Sequence, residues 1–180
     1  YLQASHAESA AIHVVTRLDR DTSGLMLFAK HSLAHSLIDA QLHTDQMVKR
    51  YVALIAGARA LPPRGWLVLR LGRTTEFYMH RGVTPDGKVS VTEYKVQHTW
   101  PAMRRVLVTL HTGRTHQIRA HFAAIGHPLY GDDLYGGPMA GIARQALHCA
   151  ELTFWHPFLQ RTIHLTAPLP VDMRRLIAEQ

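Results

Sequence analysis

Two neighbouring segments in the middle of the chain alternate between apolar and polar residues, and this pattern constrains the fold more than any other feature. Val89–Gln97 and Arg105–His111 both show the period of two that is typical of half-buried strands. We therefore expect them to pair with each other. Further strands are predicted by short apolar runs, at residues 25–29, 49–56, 66–71, 146–154 and 162–166.

Helices are predicted in three other stretches, Ser32 to Met47, Thr115–Ile125 and Asp172–Ala178. In the first of these, Ser32 has the side chain of an N-cap. The apolar residues that fall on one face of this helix are Leu33, Leu37, Ile38 and Leu42. Because helices and strands do not alternate regularly, the pattern favours an α+β domain over a doubly wound parallel sheet.

The balance of charges points to a polyanionic partner. The 180 residues fit one domain, and 47% of them are apolar, which is enough for one substantial core. Lys and Arg number 20 against 13 Asp and Glu, so the formal net charge is +7. A basic domain of this kind makes nucleic acid the first partner to test.

The lone cysteine and the short apolar runs exclude several classes of protein. Cys149 has no second cysteine with which to form an internal disulfide or a cysteine-based zinc cluster. A single thiol is compatible with a reducing compartment, and we expect the protein in the cytoplasm. No apolar run approaches the roughly 18 residues of a membrane-spanning helix, so no membrane association is predicted.

The first polar motif surrounds Asp19. Arg17 and Arg20 flank this residue in a short stretch that ends in Thr22, Ser23 and Gly24. Nearby positive charge favours the ionised carboxylate, which is the form that acts as a nucleophile or a base. Because Asp, Thr, Ser and Gly are also common in turns, a purely structural turn explains the same residues.

The second motif runs from His111 through Gly113 to Arg119. It leads from the end of a predicted strand into a predicted helix, whose free N-terminal amides suit an anion. Thr115 and Arg119 are four residues apart and share one helix face, so Arg119 is placed to point into a cleft at the strand end. The alternative is a capped helix with a solvated arginine.

A tyrosine beside two cations forms the third motif. Lys49 and Arg50 precede Tyr51 at the start of a predicted strand. An aromatic ring beside phosphate-binding cations is typical of nucleic-acid sites. A tyrosine on a strand also packs into many protein cores, and the residue types alone leave both interpretations open.

The spacing of the fourteen histidines does not match that of a known metal-binding motif. His31 and His35 are four residues apart, and a second group consists of His116, His121 and His127. No His-Glu-x-x-His pattern is present, and no carboxylate stands at a suitable spacing. We therefore predict no bound metal. Asp132 and Asp133, in a glycine-rich loop, are interpreted as turn residues.

Taken together, the motifs resemble those of a known family. Arg-Leu-Asp-x-x-Thr-Ser-Gly-Leu at residues 17–25 resembles the signature of the bacterial pseudouridine synthases that modify ribosomal and transfer RNA. Similar blocks follow in the family's order at residues 49–53, 112–119, 126–132 and 146–157. The likeness covers about residues 13–178. It implies a mixed, largely antiparallel central sheet with flanking helices and a basic active-site cleft.

The resemblance also implies site residues and a reaction. Asp19 matches the family's catalytic aspartate, Tyr51 the residue that lies against the target uracil, and Arg119 the arginine that pairs with the aspartate. Arg17 matches a position that fills the space of a flipped base, and Leu152 an apolar residue lining the pocket. Contacts to the RNA are expected from Arg20, Lys49, Arg50, Arg114 and His116.

The implied reaction converts specific uridines of ribosomal or transfer RNA to pseudouridine and needs no cofactor. Two departures from the family pattern stand out. Thr16 occupies a position that is usually histidine, and an upstream Asn-Lys-Pro-x-Gly block is not found in these residues. We therefore expect residues 1–180 to be one catalytic domain that lacks an upstream segment of the full protein.

Two rival functions are compatible with the same sequence. One is an RNA-binding module that has lost catalysis. The other is a glycosidase that uses Asp19 and Asp21 as its two carboxylates, which would need to face each other across the scissile bond. The glycosidase hypothesis fails if Asp21 points away from the cleft that holds Asp19 and Arg119.

Overall fold

The computed structural model describes residues 11–42, 44–57, 59–74 and 80–180. It is an α+β domain, as the sequence predicts. The strands in chain order are β1 (His13–Val14), β2 (Ser23–Gly24), β3 (Phe28–Ala29), β4 (Met47–Ala56), β5 (Arg64–Arg73), β6 (Arg81–Val83), β7 (Lys88–Thr99), β8 (Met103–Leu110), β9 (Leu147–His156) and β10 (Arg161–Thr166). The helices are α1 (Ser32–Asp39), α2 (Gln117–Ala124) and α3 (Val171–Ala178), and a 3₁₀ turn spans Asp133–Tyr135.

One large mixed sheet organises the described part of the chain. Its strands follow the order β10-β9-β4-β8-β7-β5-β6, and every neighbouring pair on this path is antiparallel. The short strand β2 adds a parallel pairing to β9, and β1 pairs with β3 in a separate ribbon. The predicted pairing of the two alternating segments is confirmed, because β7 and β8 are adjacent and antiparallel.

The central strand β4 is buried on both of its faces. Tyr51, Ala53 and Ile55 point to the side that α2 covers, where they pack with Ile118 and Phe122. On the opposite side, Val52 and Leu54 pack against Met173 and Leu176 of α3. No helix of the described residues is long and apolar enough to cross a membrane.

The first helix differs from its prediction. It ends at Asp39 rather than Met47, and its N-cap is His31, whose Nδ1 accepts a hydrogen bond from the Ala34 amide at 3.2 Å. Ala34 and Ile38 are buried. Leu33 and Leu37, which were expected on the buried face, are 57% and 42% exposed.

Tertiary contacts explain why this helix is short. The Gln41 side chain donates to the Trp155 carbonyl at 2.8 Å and accepts from the Trp155 amide at 2.9 Å, which ties the chain to β9. Met47 then pairs with Phe154 as the first residue of β4. Pairing with the sheet therefore replaces the last predicted helical turns.

The strand predicted at residues 25–29 is also shorter than expected. Only Phe28 and Ala29 belong to β3, and the regular pairing with β9 lies just before them at β2. Ala29 is buried, whereas Met26 and Phe28 are each 39% exposed. This segment is therefore an irregular connection that crosses the sheet rather than a buried strand.

Gly24 is the point at which the Asp19 segment approaches the sheet most closely. Its φ is +114°, and a Cβ atom at this position would overlap the backbone of Cys149. Leu25 continues the contact, because its amide donates to the Cys149 carbonyl at 3.0 Å. Glycine is required here for both its backbone conformation and its small size.

We expect Gly24→Ala to lower the free energy of unfolding by about 3 kcal/mol, because the added methyl group forces β2 away from β9. Gly136→Ala is the matched control, since Gly136 also has a positive φ of +71° but has open space around its Cα. That variant should lose only about 1 kcal/mol from the strained backbone. Urea denaturation of both variants measures the difference, and equal losses would contradict the close approach.

Candidate active site

A cleft of about 350 Å³ opens where β4 begins and β8 ends. Its walls come from three separated parts of the chain, at residues 15–19, 44–51 and 109–118. Asp19, Tyr51, Lys49, Arg17 and Arg114 all line it. The volume is in the range of ligand-binding sites. The fold therefore brings together side chains of all three sequence motifs.

The turn that carries Asp19 is held from both of its ends. On one side Thr16 is 4% exposed, and its hydroxyl accepts a hydrogen bond from the Leu27 amide at 2.8 Å. On the other side Arg144 donates to the Asp21 carbonyl at 3.0 Å. Arg144 itself forms a bidentate ion pair with Asp172, at 2.7 and 3.0 Å. These contacts fix the position of the Asp19 backbone at the cleft wall.

Arg119 connects Asp19 to a second carboxylate that lies deeper in the protein. Its Nε and Nη2 donate to the two oxygens of Asp132 at 2.7 and 2.8 Å, and the Asp132 side chain is completely buried. Nη1 lies 3.9 Å from Asp19 Oδ2. Burial alone would lower the pKa of Arg119, but the hydrogen bonds and the charge of Asp132, with a smaller effect of Asp19, raise it.

An aromatic ring completes the surroundings of this arginine. The Arg119 Cζ atom lies 5.0 Å from the centroid of the Tyr135 ring, a distance suited to a cation–π interaction. The Tyr135 hydroxyl accepts a hydrogen bond from the Arg81 amide at 3.0 Å and lies 3.1 Å from His116 Nδ1. Burial raises the pKa of Tyr135 to about 12, so this hydroxyl keeps its proton.

His116 lies behind the cleft wall rather than at its surface. Burial lowers its pKa, the charges of Arg119 and Arg81 lower it further, and those of Asp19 and Asp132 raise it. The ring is then neutral, and its Nδ1 accepts a hydrogen bond from the Tyr135 hydroxyl. His116 therefore contacts Tyr135, whose ring lies against Arg119, and it does not line the cleft.

The innermost part of the cleft is formed by side chains without charge. Tyr51 is 5% exposed and stands opposite Cys149 in the register of β4 and β9. Burial, Cys149 and the charge of Asp19 together raise the pKa of Tyr51 well above its usual range. Burial likewise raises the pKa of Cys149 to about 11. Both groups therefore remain protonated and neutral in the physiological range.

Lys49 brings a cation close to this neutral surface. Burial lowers the pKa of its ammonium, and the charge of Cys149 partly offsets that effect. Within the described ranges, no carboxylate forms an ion pair with Lys49. A half-buried cation without an anionic partner is suited to bind a negatively charged or carbonyl group of a ligand.

The remaining predicted residues are not all in the cleft. Arg20 is fully solvated and pairs with Asp21, and Arg50 forms an exposed ion pair with Glu151 at 3.0 Å. Leu152 is 1% exposed and packs in the core cluster beneath α1 with Val15 and Met47, two residues that line the cleft, so it lies directly behind the lining. Leu147, from the same strand, lines the cleft instead.

The position of Asp21 decides against the glycosidase hypothesis. Its φ is +67°, its side chain is about half exposed, and it hydrogen-bonds with Arg20 outside the cleft lining. Asp19 and Asp21 therefore do not face each other across one site. The carboxylate that does share a partner with Asp19 is Asp132, and it contacts no solvent.

Comparison with known proteins agrees with this geometry. A family model described as RNA pseudouridylate synthase matches residues 1–124. The chain belongs to this family. Among solved structures, the human RNA pseudouridylate synthase domain containing 1 superposes with a TM-score of 0.77 at 27% sequence identity, over 88% of this chain and 69% of that one.

Bacterial relatives are more similar in sequence. An uncharacterized RNA pseudouridine synthase of Bacillus subtilis, YjbO, is 46% identical over 93% of this chain and 59% of its own length. The ribosomal large subunit pseudouridine synthase D of Xylella fastidiosa is 35% identical over 92% of this chain and 54% of its own length. The chain thus spans little more than half the length of these curated relatives.

Asp132 is the site residue of this family member that sequence reasoning missed. It was interpreted as a turn residue, but it is buried and binds Arg119 through both oxygens. The available signal was its place at the end of the block at residues 126–132, next to a motif that ends in Arg119. An aspartate that forms a turn and one that anchors a buried arginine look alike in sequence.

We expect Asp132→Asn to lower the free energy of unfolding by about 3 kcal/mol, because it leaves the Arg119 charge buried without its counter-ion. Asp133→Asn is the matched control. Asp133 is exposed, and an asparagine there still accepts the hydrogen bond that Asp133 Oδ1 receives from the Leu134 amide at 2.8 Å. Denaturant unfolding of both variants tests this, and an unchanged midpoint for Asp132→Asn would contradict the role of the buried pair.

Proposed function

We propose that this chain is the catalytic domain of an RNA pseudouridine synthase that converts uridines of ribosomal RNA to pseudouridine. The observation that carries the proposal is that Asp19 lines a cleft together with Tyr51, with the buried pair of Arg119 and Asp132 directly behind it. Ribosomal RNA is favoured as the substrate because relatives such as that of Xylella fastidiosa are named for the large ribosomal subunit. Transfer RNA is the less favoured substrate.

The reaction is an isomerisation within one nucleotide. The N1–C1′ glycosidic bond of uridine breaks, the uracil turns, and a C5–C1′ bond forms, while C5 loses its proton and N1 takes up a proton. Atoms and electrons balance without an external reactant. Asp19 carries the covalent or proton-transfer step, as a nucleophile or as a base that removes a proton from the sugar. Both roles require a carboxylate oxygen that is free to reach the nucleotide.

The contacts of Arg119 leave such an oxygen available. A bidentate pair between Arg119 and Asp19 would engage both oxygens of the catalytic group. Here the bidentate partner is Asp132, and Nη1 stands 3.9 Å from Asp19 Oδ2. Arg119 therefore orients Asp19 by its charge while Asp132 holds the guanidinium still. In this proposal Asp132 and Tyr135 are positioning residues, and Asp19 is the catalytic residue.

The base and its phosphates are bound by different surfaces. Inside a folded RNA the target uridine has to leave the helix, which costs a few kcal/mol. Tyr51 and Arg17 both line the cleft. We infer that the uracil packs against the neutral Tyr51 ring and that Arg17 fills the vacated stack. Lys49 and Arg114 bind phosphate or carbonyl oxygens at the cleft. We also propose a cytoplasmic location, since bacterial ribosomal RNA is found there.

Asp19→Asn tests catalysis directly. In the full-length protein we expect turnover to fall by at least about 1,000-fold, because the amide is neither a nucleophile nor a base. Pseudouridine formed in a ribosomal RNA transcript is the measurement, and RNA affinity should change little because the side chains are isosteric.

Asp21→Asn is the control for this experiment. It makes the same chemical change two residues away, at an exposed position whose positive φ suits asparagine. Its turnover should match that of the unmodified protein. If Asp19→Asn retains full turnover, the catalytic assignment is wrong. If the unmodified full-length protein binds the RNA but never forms pseudouridine, the chain is an RNA-binding module instead.

The cleft cations predict a specific dependence on salt. Each phosphate contact should contribute about −0.7 to the slope of log affinity against log salt concentration for a single strand. Arg114→Ala, which removes a cation from the cleft lining, should therefore make the slope shallower by about 0.7. Arg161→Ala, at the exposed start of the edge strand β10 and outside the cleft lining, should leave it unchanged. Equal slopes for all three proteins would show that phosphates do not bind at the cleft.

A further inference from the structure

Within the described residues, no element covers one face of the sheet where β5, β7 and β8 lie side by side. Trp66 and Val68 of β5 are 58% and 59% exposed, and Val89 of β7 is 46% exposed. The alternation along the strands places them on one face with Val91, which pairs directly with Val68. We call these four residues the Trp66 strip. Exposed apolar groups that cluster in this way are typical of interaction surfaces.

The strip is continuous with the cleft through one aromatic contact. The Trp66 and His111 rings lie 4.7 Å apart between centroids, at an interplanar angle of 33°. His111 lines the cleft, and its Nε2 lies 3.1 Å from Glu93 Oε2 on β7. Because Glu93 also stands opposite Trp66 in the register of β5 and β7, the two rings are held at the cleft rim.

The charged neighbours of the strip are mainly cations. Strand alternation places Arg64 and Arg70 on the same face of β5 as Trp66, and Lys95 on the same face of β7 as Val91. The carboxylate of Glu93 on this face already interacts with His111. An exposed aromatic ring among cations is the arrangement by which proteins bind single-stranded nucleic acid, because bases stack on the ring while cations follow the backbone.

We propose that the Trp66 strip binds the RNA strand that flanks the target uridine, with the Trp66 indole stacking on an unpaired base. The choice of RNA as the partner rests on the proposed function, whereas the location of the strip rests on exposure, register and the contact with His111. The surface adds a binding site outside the cleft. The strip lies on the sheet face opposite Tyr51, so the proposed RNA path turns around the end of β8 at His111 and then follows β7 and β5.

The charge of the strip's surroundings disfavours a second copy of this chain as the occupant. A symmetric contact through this face would bring Arg64, Arg70 and Lys95 of two copies together, and like charges at an interface are costly. The same cations attract a polyanion. The chain as a whole carries a formal charge of +7, which acts in the same direction.

The test measures binding in the full-length protein with an oligouridylate of about 12 nucleotides, a length comparable to known single-strand sites. We expect Trp66→Ala to weaken binding by about 5- to 100-fold, because it removes the stacking surface. Trp66→Phe keeps an aromatic ring and should stay within about threefold of the unmodified protein. Phe158→Ala is the matched control, since it removes an aromatic side chain that is 51% exposed at the β9–β10 turn, near the other edge of the sheet.

Tryptophan fluorescence supplies a second measurement on the same samples. The chain has three tryptophans, so the quenching that RNA causes has to be assigned by comparison with Trp66→Phe. We expect that variant to bind RNA but to lose most of the quenching, and Trp66→Ala to retain the salt slope of the unmodified protein. Unchanged affinity in Trp66→Ala together with unchanged quenching in Trp66→Phe would overturn the proposal.

Two further outcomes separate this proposal from its alternatives. If the unmodified protein dimerises in size-exclusion chromatography and Trp66→Ala is monomeric with unchanged RNA affinity, the strip joins two copies and the RNA proposal is wrong. If Trp66→Ala weakens RNA binding while the unmodified protein forms no pseudouridine, the RNA-binding strip is supported and the proposed reaction is the part that fails.

Discussion

The buried ion pair between Arg119 and Asp132 is the interaction on which the rest of the site depends. Asp132 reaches Arg119 through two short hydrogen bonds, and its backbone carbonyl accepts from the amides of Tyr135 and Gly137 at 3.3 and 2.7 Å. Helix α2 and the loop after it are thereby fixed relative to each other. Tyr135 extends the network to β6 through the Arg81 amide.

The same pair determines the electrostatics of Asp19. Arg119, Asp132 and Asp19 together carry one net negative charge, because the single guanidinium is balanced by the deeper carboxylate. An arginine that paired only with Asp19 would neutralise it and hold both of its oxygens. Arg119 instead forms its bidentate pair with the fully buried Asp132, and Asp19 keeps a free oxygen at the cleft wall. Burying the Asp132 carboxylate costs free energy of folding, and the pair that it forms with Arg119 leaves an oxygen of Asp19 free.

The sequence predicts those parts of the fold that depend on local pattern. The strands at Val89–Gln97 and Arg105–His111 are found where the alternation puts them, because a period of two is decided within each segment. The helix expected up to Met47 ends at Asp39, because Gln41 binds β9 and β4 starts early. A partner 114 residues away decides that end, and no local pattern contains it.

The same distinction applies to the site. Sequence motifs identify Asp19, Tyr51 and Arg119 as candidate site residues. Whether an aspartate faces the protein interior depends on tertiary packing, so the sequence alone does not identify Asp132 as the partner of Arg119. Leu152 shows a second effect of tertiary structure. The pairing of β4 with β9 shifts register between Arg50 and Tyr51, so Leu152 stands opposite Lys49 and packs behind the cleft lining with Val15 and Met47. A bulge of this kind changes the face of every residue beyond it.

The cleft of this strongly basic protein combines a neutral surface with nearby cations. Burial keeps the Tyr51 phenol and the Cys149 thiol protonated, so the innermost surface carries no charge. Arg17 and Arg114 line the cleft together with this neutral surface, and burial lowers the pKa of Lys49 beside it. Uracil is uncharged and its phosphates are anionic. In the proposed function, a nucleotide binds with its base against Tyr51 and its phosphates toward the cations, which presents the glycosidic bond to Asp19.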